Sequence, residues 1–179
     1  MKDMYAYYSK ENIKAYGALA IYICRLESIT PKILVDNGIC PTCFNKENHS
    51  CLYGDSSDKM LYQDDKIECF LVGAPRAEGH VIISTIKHYK DMLEAPKDIV
   101  LYVYGFAHKA MQIIKEVYQC ESVYLCTMCD GPMNHFHVQL ISRYANEERG
   151  SKNFVKPRNV YICDEEKLSK LRKLFEVLI

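Results

Sequence analysis

Five strand-like runs gathered around one long amphipathic stretch predict an α+β domain with an antiparallel sheet of about five strands. The runs cover 59–63, 66–72, 79–86, 122–127 and 135–143. The amphipathic stretch, 97–118, lies between the third and fourth and gives the domain one long helix flanked by terminal helices. A chain of 179 residues, 49% hydrophobic, can bury the core of one such domain and is short for two.

Taken in order, residues 8–27 place Ile13, Tyr16, Leu19, Ala20 and Ile23 at helical spacing, and the stretch 28–31 ends that helix. Residues 36–58 are rich in turn formers, hold three cysteines and are expected to be a loop. The first two strands form a hairpin turning at Asp64 and Asp65. In 97–118 the apolar positions Val100, Leu101, Tyr104, Ala107, Met111, Ile114 and Val117 recur at three- and four-residue steps. Asp164 starts a closing helix over 164–178. The expected division is an N-terminal helical segment 1–34, a main domain 35–160 and a C-terminal helix 161–179 packed on it.

The 23 basic and 23 acidic residues balance, so nothing global calls for nucleic acid or an anionic membrane. The apolar stretch 15–24 is too short to span a bilayer and is flanked by Lys14 and Arg25, with no cleavage site after it. Nine cysteines, odd in number, include two C-x-x-C pairs, Cys40/Cys43 and Cys126/Cys129. They suggest a reducing compartment and a metal, and the chain is expected to be soluble and cytoplasmic.

The segment 134–143 reads NHFHVQLISR. Alternation along a strand puts His135, His137 and Gln139 on one face, and Phe136, Val138 and Leu140 on the core face. Two imidazoles and an amide in a row cost free energy to bury unless each has a partner. The spacing leaves two readings open: a functional row, or half-exposed histidines at a sheet edge.

The H-x-H-x-Q pattern with apolar residues between resembles the histidine-triad (HIT) superfamily signature. The variant with Gln third is similar to the galactose-1-phosphate uridylyltransferase and dinucleoside polyphosphate phosphorylase branch. The segment 70–88, FLVGAPRAEGHVIISTIKH, resembles the family's strand, proline turn, Gly-His, apolar strand and further histidine. The resemblance spans roughly residues 35–145. It implies a HIT-like fold and a nucleotide, dinucleoside polyphosphate or nucleotide-sugar substrate. His137 would be the nucleophile on the α-phosphorus, forming a nucleotidyl-histidine. Gln139 would donate to a phosphate oxygen, beside His135. An amide cannot hand over a proton as an imidazolium does, so good leaving groups are favoured. Asn134 and the main chain near Gly131 would touch phosphate. Arg143 and the stretch 150–158, with Ser151, Lys152, Lys156 and Arg158, either assist or form a solvated loop.

The resemblance further implies that Cys40, Cys43, His88 and His135 hold a structural zinc with all four positions filled. Two rivals stand beside it: a local knuckle of Cys40, Cys43, His49 and Cys51, and an all-cysteine site adding Cys126 and Cys129. Cys24, Cys69, Cys120 and Cys163 are read as buried thiols. His80 is read as a core histidine or one supporting the site from behind, and His108 as a plain helix residue. Homodimerisation is implied by the same resemblance.

Three departures bear on function. Val72 stands where nucleoside-binding relatives carry Asn or Asp. The segment 130–134 is shorter than the family's Gly-rich approach to the triad, and one domain is present where the long uridylyltransferases have two. The first functional reading is a nucleotidyl hydrolase or transferase acting through His137. The alternative is a zinc-stabilised nucleotide-binding or regulatory protein with little catalysis. A zinc-knuckle nucleic-acid binder is disfavoured by the zero net charge.

Overall fold

The structure is a computed structural model and describes residues 29–48, 59–159 and 164–177. The helix expected over 8–27 and the residues 49–58, with His49 and Cys51, lie outside them. The described residues divide into two compact units: 29–48 with 130–135, and 59–129 with 136–159 and 164–177.

In the first unit, Thr30 caps helix α1 (Pro31–Asp36), its hydroxyl accepting from Ile33 N at 3.3 Å. The helix ends in a Schellman motif at Gly38, whose φ of +67° is readily open only to glycine. There Gly38 N donates to Val35 O and Ile39 N to Leu34 O, each at 2.9 Å. After four intervening residues the chain enters α2 (Pro41–Asn48). This corrects the expected loop: Pro41 opens a helix because its missing N–H is not needed at the first position. Leu34, Pro41 and Phe44 are buried in this pair.

The second unit is the predicted sheet. Its strands are β1 (Met60–Gln63), β2 (Ile67–Leu71), β3 (Val81–Thr85), β4 (Ser122–Cys126) and β5 (His137–Arg143). All neighbours are antiparallel, in the order β1-β2-β3-β5-β4. The β1–β2 turn is fixed by Asp64, whose Oδ1 accepts from Lys66 N at 2.8 Å and Ile67 N at 2.7 Å. Helix α3 spans Lys97–Tyr118 and buries Val103, Ala107, Ala110, Ile113, Ile114 and Val117. That face meets Val81, Ile83, Phe136, Val138 and Leu140 in the core. Helix α4 (Glu165–Val177) begins under Asp164, which accepts from Glu166 N and Lys167 N at 3.1 Å, and adds Leu168, Leu171 and Phe175.

Strand β5 lies between β3 and β4, and all but its first residue are buried. It starts at His137, two residues later than the alternation suggests, so His135 is not on the strand. Among the described residues no helix is long and apolar enough to cross a membrane.

Candidate active site and metal ligands

With Val138 and Leu140 committed to the core, His137 and Gln139 point to the other face of the sheet. Register sets Ser84 of β3 opposite His137, and Ile82 of β3 and Cys126 of β4 on either side of Gln139. Thr127, just past β4, donates its hydroxyl to His137 O at 2.8 Å and so anchors the first residue of β5. The buried Ser84 hydroxyl has no hydrogen-bond partner among the described residues.

A chain of hydrogen bonds on this face settles which nitrogen of His137 is free of its proton. The backbone N–H of Arg76 can only donate, and it points at His80 Nδ1 at 3.1 Å. Neutral His80 therefore carries its proton on Nε2, which lies 3.1 Å from Gln139 Oε1. The amide nitrogen of Gln139 is thus turned to His137 Nε2 at 3.4 Å, and the lone pair of that nitrogen faces it. His80 is fully buried, and burial, followed by the charge of Arg158, pulls its pKa down to about 4. It stays neutral near pH 7, as the relay requires.

The Gly-His step serves this placement. Gly79 has φ +76°, and a Cβ there would meet the Tyr118 ring at 2.7 Å. Only glycine lets the end of α3 pack down while the next residue, His80, turns inward. His80 is more than the core histidine of one sequence reading, because it fixes the orientation of the Gln139 amide.

Within the first unit, His135 Nδ1 lies 3.7 Å from Cys40 Sγ and 3.4 Å from Cys43 Sγ. A tetrahedral zinc at ordinary bond lengths would set each S···N edge at about 3.5 Å, so these three donors fit the metal. The Cys43 thiol donating to Cys40 holds the latter well below the ordinary thiol range, and Cys43 is pushed up in turn. His88 follows β3 in the second unit and is exposed. Cys126 and Cys129 join no cluster of metal-ligand side chains among the described residues. Cys69 and Cys120 are buried thiols as expected. Cys24 and Cys163 fall outside the described residues.

Asn134 closes a turn on Gly131, accepting from its N–H at 3.1 Å and donating to its carbonyl at 2.7 Å. Ser151 and Lys152 open a 3-10 turn (Ser151–Val155), where Lys152 pairs with Glu148 at 2.7 Å on the surface. Lys156 pairs with Glu147 at 2.5 Å. Arg143, at the opposite end of β5 from His137, pairs with Glu121 at 2.8 Å. His108 is exposed on α3. Sequence reasoning missed Arg76, whose contribution to the relay is a backbone N–H that no side-chain pattern reveals.

The model of the HIT domain matches residues 54–146, just over half of the chain. The chain belongs to the HIT family. An uncharacterized HIT-like protein of Methanocaldococcus jannaschii is 26% identical over 99 residues, 52% of this chain and 75% of that protein. Among solved structures, a Zn-bound histidine triad family protein from Mycobacterium smegmatis is similar with TM-score 0.59 and 17% identity, over 78% of this chain and 94% of that one. A hypothetical histidine triad nucleotide-binding protein from Sulfolobus tokodaii gives TM-score 0.56 and 22% identity, over 67% of this chain and 85% of the other. At such identities these likenesses establish the HIT fold, and the residues above carry the chemistry.

Proposed function

We propose that this protein is a nucleotidyl hydrolase or nucleotidyltransferase that cleaves at an α-phosphate through a covalent nucleotidyl-histidine on His137. The observation that carries this reading is the relay from Arg76 N–H through His80 and Gln139 to His137 Nε2. A neutral imidazole with its nucleophilic lone pair held by a displaceable 3.4 Å contact is ready to attack phosphorus. As Nε2 forms its bond to phosphorus, the bond to the leaving oxygen breaks and that oxygen departs with the electron pair. The Gln139 N–H, released from His137, then donates to a phosphate oxygen. The second half-reaction passes the nucleotidyl group to water or to a phosphate acceptor and restores the imidazole.

Cys40, Cys43 and His135 would hold a structural zinc, with His88 as the fourth ligand. Support for His88 comes from chain neighbours within the sheet unit: Phe136 N donates to Tyr89 O at 2.7 Å, and His135 and His88 each stand one residue before these. The metal would supply rigidity at the entrance to β5. Its four protein ligands would leave no position for water, so it takes no part in the reaction. The names of the similar structures, nucleotide-binding in one case and Zn-bound in the other, agree with both parts of the reading. The homodimer belongs to the same proposal.

Release of nucleoside monophosphate from a panel of dinucleoside polyphosphates and nucleotide sugars tests the reading. Turnover by the wild type that falls to background in His137→Ala is expected. Turnover that survives His137→Ala overturns it. A wild type with no turnover on any substrate would favour the binding-protein alternative, which rests on Val72, buried at the ribose-contact position, and on the short 130–134 segment.

A further inference from the structure

Lys152, Lys156, Arg143 and Arg149 all pair with glutamates. Arg76 and Arg158 do not: among the described residues their guanidiniums meet only backbone carbonyls. Arg76 donates to Lys156 O, Arg158 donates to Ala74 O at 2.9 Å, and Asn159 N donates to Pro75 O at 2.9 Å. The two arginines thus cross between the proline loop and the stretch after the 3-10 turn, each anchored on the backbone beside the other. The Arg76 Nε is buried with no hydrogen-bond partner among the described residues. A guanidinium has five N–H donors, so both retain donors for a ligand.

This pair lies at the relay. The backbone of Arg76 holds His80, and both guanidinium charges act on that ring. The Arg76 charge also reaches Cys126, the cross-strand neighbour of Gln139. Partial burial, then the Arg76 charge, weakens the hold of Arg158 on its own proton, as expected for two cations brought together without an anion. Guanidiniums bind phosphate oxygens by paired N–H donors.

We infer that Arg76 and Arg158 form an anion site for the phosphate chain of a phosphoanhydride substrate, receiving the phosphates beyond the one His137 attacks. The inference rests on the proposed role of His137 and gives it a substrate class. Neither buried neutral His80 nor the Gln139 amide supplies a proton, so the leaving group must depart as an anion. Two unpaired guanidiniums suit a leaving group of at least two phosphates better than a single sugar phosphate. An amine from a phosphoramidate would gain nothing from them.

Calorimetric titration with inorganic tripolyphosphate and with orthophosphate tests the site directly, in wild type, Arg158→Gln, Arg76→Gln and His137→Ala. Tripolyphosphate is expected to bind wild type and His137→Ala alike and to bind Arg158→Gln at least about tenfold more weakly, with the melting temperature of that exposed-site variant unchanged. Orthophosphate is expected to bind far more weakly than tripolyphosphate. Wild-type affinity for tripolyphosphate in both arginine variants overturns the inference, as does equal affinity for the two anions in wild type. Should Arg76→Gln disturb its loop, Arg158→Gln alone decides. The titration is independent of the covalent step. Arginine-dependent binding without a His137 adduct would reject the nucleophile and keep the anion site, and an adduct without arginine-dependent binding would do the reverse.

Discussion

At the residue scale, the site depends on directionality in hydrogen bonds more than on charge. One backbone N–H sets the tautomer of His80, which sets the amide of Gln139, which addresses His137 Nε2. Gln139→Leu leaves the buried Nε2–H of His80 unpaired. It is expected to cost about 1–3 kcal/mol of stability and to lower kcat by roughly 10²–10³-fold with a smaller change in KM, measured by denaturation and steady-state kinetics. His80 also makes a pH prediction. Its folded pKa of about 4 lies below the ordinary histidine value, so between that value and about 4 the unfolded chain binds the extra proton. Stability therefore falls as the pH drops through this window and loses nothing further from His80 below it. His80→Gln should flatten the decline by about one proton's worth in urea unfolding at a series of pH values. A variant with the wild-type slope would contradict the assignment of His80 as neutral and buried.

At the element scale, β5 was legible in the sequence where alternation is strict and illegible where it stops. Val138 and Leu140 in the core fix His137 and Gln139 on the other face, as the period of two requires. His135 carries on the same alternation in sequence, yet it precedes the strand and meets thiols instead. Periodicity cannot mark where a ladder of hydrogen bonds begins. Helix α2 was hidden in a run of turn formers, since Pro41 reads as a breaker until it is seen at a helix start. Helix α3, by contrast, runs over the range its periodicity predicts, because 22 residues give the pattern several turns in which to repeat. Gly79→Ala should cost more than the usual 1 kcal/mol or so for a strained left-handed position, because the added Cβ also meets the Tyr118 ring. It should lower activity as well, since the turn carries His80; a neutral substitution would contradict the packing argument. For the metal, His88→Ala and Cys40→Ser are expected to lose zinc in elemental analysis and Cys51→Ala to keep it. Loss only in the Cys51 variant would favour the local knuckle.

At the scale of the whole molecule, the fold class follows from the order of elements, and the family follows from motifs laid along it. The sheet, the long helix and the closing helix were all predictable because each is carried by local pattern. The arginine pair was not, because Arg76 and Arg158 are 82 positions apart in sequence and are joined through backbone carbonyls of each other's loop. Scattering at micromolar concentration should give about twice the 20.7 kDa chain mass; a monomer mass would remove the homodimer from the proposal. Intact-protein mass spectrometry reads the covalent role of His137 directly. The protein is mixed with a panel of dinucleoside polyphosphates and nucleotide sugars, quenched in base, and weighed beside His137→Ala. A nucleoside-monophosphate mass added to the wild type and absent from the variant is the predicted result, and it names the nucleotide transferred. No added mass on the wild type, with no nucleoside monophosphate released to solution, would contradict the account.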